Sequence, residues 1–248
     1  MAKLKYHLLR QQVIETCLKM NAEGINQGTS GNVSVRTTEG FLITASGIPY
    51  HKMKPYHVVE MDLDGGYRGD FLPSTEWRMH LDIFRHRPEA QAIVHTHSIY
   101  ATALACLRKE IPAFHYMVGV GGGATIRCSD YAEFGTQALS ATMIKALEGR
   151  KACLLANHGQ IAFGPSLEKA LWLAGEVETL SHQYWAALQG GRPIVLKARQ
   201  MTTVLARFKT YGKQTDELAK GDAPAVEAPV RRDKAKPKAK GPRRARRA

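Results

Sequence analysis

The chain has 248 residues, 44% of them hydrophobic and 23% charged, enough to bury the core of one large or two small domains. No stretch approaches the roughly 18 consecutive apolar residues that cross a bilayer, and the N-terminal MAKLKYHLLRQQ lacks the apolar run of a signal peptide. A membrane protein or a Sec-exported one is therefore not expected, and the cytoplasm is. The four cysteines, Cys17, Cys106, Cys128 and Cys153, form no CxxC pair and read as small core residues in a reducing compartment.

The net charge of +13 is uneven: residues 221–248 carry +7, leaving +6 on residues 1–220. That tail contains Ala, Pro, Gly and basic residues with two valines and no aromatic. It cannot bury enough apolar surface to offset its ordering entropy, so its composition predicts disorder. A solubilising tail and a weak contact with polyanions both fit it. With no aromatic to stack bases, specific nucleic-acid binding is not expected.

Residues 1–220 alternate helical and extended patterns without a repeat, which predicts one α/β domain. Leu9, Val13 and Cys17 mark a first helix ending near Asn21 to Gly24. Short extended pieces follow at 33–36, 41–44 and 58–63, the last closed by Asp64-Gly65-Gly66. Trp77, Leu81 and Phe84 share a helical face, and residues 92–97 read as a buried strand. Ser98 is a candidate cap for a helix to Leu107. Residues 111–118 and 125–128 look extended. Phe134, Ala138, Leu139 and Met143 mark a helix, and residues 152–156 a strand delivering Asn157-His158-Gly159. Leu173, Val177, Leu180, Tyr184 and Leu188 stripe the longest helix, and a last short helix covers about 201–208.

Ile93-Val94-His95-Thr96-His97 is the strongest local signal, because residues i and i+2 of a strand share a face and two imidazoles there can converge on one cation. The same spacing also suits two partly buried histidines bonded to backbone. His158 ends another apolar strand in a turn context. Glu76, just before an amphipathic helix, is a candidate oxygen ligand, although an acid there also suits the helix dipole. Gly28-Thr29-Ser30-Gly31-Asn32, Thr44-Ala45-Ser46-Gly47 and Pro73-Ser74-Thr75 offer backbone N–H groups, hydroxyls and a helix N-terminus for a phosphate. None matches a nucleotide fingerprint, and each alone also reads as an ordinary turn.

In order and spacing, residues 28–34, LITASGIPY (42–50), PSTEWRMH (73–80), 94–97, IPAFHYM (111–117), Asn157-His158-Gly159 and FKTYG (208–212) resemble the class II aldolase/adducin family over about residues 5–212. The resemblance implies an α/β/α fold with a central, largely antiparallel sheet. It also implies zinc-dependent cleavage of a 2-ketose 1-phosphate into dihydroxyacetone phosphate and an aldehyde. His95, His97 and His158 would bind zinc, with Glu76 as fourth ligand and C3 proton carrier. Asn32, Ser46, Gly47, Ser74 and Thr75 would hold the phosphate; Thr75 stands where the family usually has Ser. Tyr116 would act as acid/base, reaching a neighbouring subunit of a C4 homotetramer, and Phe134 and Tyr211 would line the aldehyde end. Without the resemblance, Tyr116 reads as a buried tyrosine in a strand.

Candidate substrates are the 1-phosphates of L-fuculose, 5-deoxyribulose and 5-methylthioribulose. Methylthioribulose-1-phosphate dehydratases and ribulose-5-phosphate 4-epimerases resemble the same fold. A noncatalytic adducin-like or polyanion-binding protein is the non-enzyme alternative.

Overall fold

A computed structural model describes residues 4–211 and 213; the basic tail of residues 221–248 lies outside them. The elements run α1 (His7–Ala22), β1 (Asn32–Arg36), β2 (Phe41–Ile43), β3 (Val59–Met61), β4 (Tyr67–Arg68), α2 (Trp77–His86), β5 (Ala92–Thr96) and α3 (Ile99–Cys106). They continue with α4 (Gln137–Ala146), β6 (Ala152–Leu155), β7 (Gly159–Gly164), α5 (Leu167–Gly190) and α6 (Ala198–Phe208). The strands form one seven-stranded sheet in the order β4-β3-β2-β1-β5-β7-β6. Every pairing in it is antiparallel, as the short strands suggested.

Side chains alternate across the sheet with period two, and this builds two cores. Val33, Val35, Leu42, Ala92, Val94 and Leu154 pack with α1, α3 and α5 on one face. Phe41, Ile43, Met61, Ile93, Leu155 and Phe163 pack with α2 and α4 on the other. The result is an α/β/α sandwich. Phe41, Phe84 and Phe163 are almost fully buried, each contributing about 1.5–3 kcal/mol through removal from water.

Several expected elements shift. Residues 58–63 yield only a three-residue strand, because Asp62 turns the chain by accepting from the Asp64 and Gly66 N–H groups. Residues 111–118 are not a strand. Ile111 and Ile126 form a single bridge, and Tyr116–Gly121 coil into a 3-10 helix. Tyr116 is therefore half-exposed rather than a buried strand residue. Phe134 precedes α4 and is exposed. Ser98 occupies the cap position of α3 but does not cap it. Glu178 of α5 accepts from Tyr100 and Ala101 N–H instead, while Ser98 Oγ accepts from Gln160. β7, which no sequence pattern marks, is a buried strand between β5 and the edge strand β6.

Candidate active site

Three strand ends and one helix start meet at one rim of the sheet. β5 delivers His95, fully buried, and His97 just beyond its last residue. The β6–β7 hairpin delivers His158 from the three-residue loop 156–158, in which Asn157 takes a left-handed conformation, φ 55°, that asparagine tolerates better than most residues. The next position must be small, since a Cβ on Gly159 would stand 2.4 Å from the Thr96 carbonyl and 2.9 Å from the His97 ring. Likewise a Cβ on Gly31 would lie 2.5 Å from the His95 carbonyl, so glycine lets β1 begin beside β5 and pairs Asn32 with His95.

Glu76 opens α2 but its carboxylate caps no N–H. It turns inward: Oε2 lies 3.1 Å from His95 Nε2 and Oε1 3.0 Å from His158 Nε2. His95 Nε2 and His97 Nε2 are 3.1 Å apart. The three imidazole rings sit 4.8–5.0 Å apart, each pair inclined by 74–75°, and one ligand atom from each of Glu76, His95, His97 and His158 falls within 4.8 Å of the others.

Hydrogen positions follow from the partners. The Gln160 carbonyl, 2.8 Å from His95 Nδ1, can only accept, so in neutral His95 the proton sits on Nδ1 and the Nε2 lone pair faces the cluster. Buried Glu76 Oε1 has no partner in hydrogen-bonding geometry among the described residues. The His95 Nε2 lone pair thus faces the Glu76 carboxylate, acceptor against acceptor, which a divalent cation would resolve; three imidazoles and a carboxylate are a suitable donor set for one.

With no ion bound, a proton takes the place of the cation: burial pushes the Glu76 carboxyl up, but a positive charge on His95 and the contacts with His158 and His95 outweigh it and hold the group well below the carboxylate range. Burial, reinforced by His95 and His158, lowers His97 to about 4, leaving it neutral and able to ligate at pH 7. Burial and the nearby His95 lower His80 to about 3.

A cavity of about 290 Å³ opens beside the cluster, lined by Ser30, Thr75, Glu76, His97, Tyr131, Ala132, Phe134, Asn157 and His158. Two of the polar segments lie side by side: Ala45 bridges Pro73, and Ser74 N–H donates to the Thr44 carbonyl. Of the expected phosphate residues, Thr75 lines the cavity, whereas Asn32, Ser46, Gly47 and Ser74 do not. Phe134 lines it. Tyr116 and Tyr211 do not; they flank Phe208, with ring centroids 6.4 and 5.4 Å from it. Sequence reasoning missed Tyr131, which sits in a stretch without periodicity. It also missed Gln160, on the unrecognised β7, and His80, whose signal was its place one helical turn from Glu76.

Residues 11–185 match the family described as Class II Aldolase and Adducin N-terminal domain, and the chain belongs to this family. Its enzyme class is that of the aldehyde-lyases. A relative from Rhodospirillum rubrum named 5-methylthioribulose-1-phosphate/5-deoxyribulose-1-phosphate aldolase is 50% identical over 204 residues, covering 82% of this chain and 92% of that one. The L-fuculose phosphate aldolase of Escherichia coli strain K12 is 48% identical over 210 residues, covering 84% and 98%. Among solved structures, an L-fuculose 1-phosphate aldolase superposes with a TM-score of 0.81 at 38% identity, covering 84% of this chain and all of that one.

Proposed function

We propose that this protein is a zinc-dependent aldolase that cleaves a 2-ketose 1-phosphate to dihydroxyacetone phosphate and an aldehyde. The observation that carries this reading is the convergence of Glu76, His95, His97 and His158 on one point beside a cavity. Those four residues would hold the ion, which when bound supplies Lewis acidity to the charge that cleavage builds at the C2 carbonyl. Glu76 moves a proton at C3 of the dihydroxyacetone phosphate half.

Asn32, Ser46, Gly47, Ser74 and Thr75 hold the phosphate at the start of α2, where backbone N–H groups and hydroxyls favour an anion. Supporting this, the Ala45–Pro73 bridge sets two of the three segments side by side. Tyr116 takes the C4 hydroxyl proton, and Tyr211 and Phe134 face the aldehyde end. Both tyrosines reach a neighbouring subunit's site in a C4 homotetramer; their half-exposed rings, which line no part of their own chain's cavity, support that reading. Residues 1–220 form the catalytic domain and 221–248 a tail outside the chemistry. The enzyme works in the cytoplasm; no helix among the described residues is long and apolar enough to cross a membrane.

The test is a panel of L-fuculose, 5-deoxyribulose and 5-methylthioribulose 1-phosphates assayed for dihydroxyacetone phosphate, with and without chelator. Chelator-sensitive release from at least one is expected. Loss of water from methylthioribulose 1-phosphate without release of dihydroxyacetone phosphate would mean a dehydratase on the same fold.

A further inference from the structure

Alternation along β1 places Asn32 and Ser34 on the face that carries His95, and His80 of α2 arrives against both. His80 is fully buried and lines no part of the cavity. Its Nδ1 lies 2.6 Å from Ser34 Oγ, its Nε2 contacts Asn32 Oδ1, and Asn32 Nδ2 donates to Glu76 Oε2 at 2.8 Å.

The protons along this chain have one consistent arrangement. A carboxylate only accepts, so Asn32 must turn its NH₂ to Glu76 and its oxygen to His80. That oxygen also only accepts, so His80 carries its proton on Nε2. Nδ1 of the neutral ring is then an acceptor, and the Ser34 hydroxyl donates to it.

We infer that His80 is a positioning residue for the metal centre: through the Asn32 amide it fixes the direction in which Glu76 presents its oxygens, while Ser34 fixes the tautomer of His80. The inference rests on Glu76 and the three histidines binding an ion. Without the His80 donor, the Asn32 amide is free to turn over and set its oxygen against the carboxylate. Asn32 keeps one further N–H, so this role stands beside the proposed phosphate contact. A partner of this kind typically changes metal affinity about 10- to 100-fold.

The experiment is a titration of the metal-stripped, full-length chain with zinc alone, in competition with a chromophoric chelator. His80→Leu should weaken zinc binding about tenfold or more, and His80→Gln, which can still offer an N–H to Asn32, should recover most of that loss. Wild-type affinity in His80→Leu overturns the inference. So does equal weakening in folded His80→Leu and His80→Gln, which marks a packing role only. If His80→Leu does not fold, Asn32→Leu replaces it; about tenfold weaker zinc is expected, and unchanged affinity overturns the inference. Failure of the underlying site reading looks different, because the wild-type chain then takes up no stoichiometric zinc.

Discussion

On the α1/α3/α5 face of the sheet, Val33, Val35, Leu42 and Val94 meet the helices through hydrocarbon, and buried Gln160 donates there to Ser98 and Ala174. On the α2/α4 face the alternate residues of the same strands include Asn32, Ser34 and His95 beside Ile43 and Ile93. Burial of the first kind is non-directional and scales with area, about 25 cal/mol per Å². The second kind holds only if every polar group has a partner, since one left buried and unpaired costs about 1–3 kcal/mol. Ser34, His80, Asn32 and Glu76 meet that condition by serving one another, and the Glu76 oxygen left over at the end of the chain faces the proposed metal position. One period-two pattern therefore yields a mainly apolar core on one side and a linked polar array on the other.

His97→Ala should separate the two faces most sharply. His97 lies beyond the end of β5 and is only partly buried, so the fold should survive while stoichiometric metal and turnover are lost. Metal analysis and far-UV circular dichroism of the purified variant check this; equal metal content in variant and wild type breaks the comparison. Leu104→Ala, on the hydrocarbon face, should do the reverse. Leu104 is fully buried, and its truncation should cost about 2–5 kcal/mol of stability, read by urea melts, with zinc per folded chain unchanged.

Much of this contrast was legible in the sequence. His95 and His97 declared themselves through strand spacing, and Glu76 and His158 through their positions at a helix start and a strand end. Local patterns of this kind survive folding because they depend on neighbours in the chain. What failed depended on distant partners. β7, between glycines, offered only the three-residue apolar run 161–163 preceded by Gln160, and that glutamine is explained by the Ser98 hydroxyl and Ala174 carbonyl to which it donates. The 111–118 segment has strand-like composition, yet it makes one bridge to Ile126 and then coils. Tyr131 reached the cavity through a loop that no periodicity marks. His80 could have been paired with Glu76 by its spacing of four, but Ser34 and Asn32, its hydrogen-bonding partners, are 46 and 48 positions away.

The smallest effect concerns pH, and its sign follows from His80. Burial, with His95 nearby, lowers this ring from 6.5 to about 3, so between those values it is neutral in the folded chain and protonated in the unfolded one. The unfolded state then binds more protons, and stability falls as the pH drops through this window by up to about 1.4 kcal/mol per pH unit. His97, lowered to about 4 by burial, His95 and His158, adds a slope of the same sign in the metal-free chain. Glu76, held down by the histidines, does so below its ordinary range. His95 runs the other way: burial lowers it but Glu76 and the Gln160 carbonyl raise it further, so its contribution is complete below 6.5 and is lost only at higher pH. Urea melts of metal-free protein at pH 7 and pH 5 should therefore show lower stability at pH 5. In His80→Gln the drop should shrink by about one proton's worth, because an amide has nothing to titrate. An unchanged drop in that variant would mean that His80 is already charged in the native state, and the account of how this face buries its polar groups would fail at its centre.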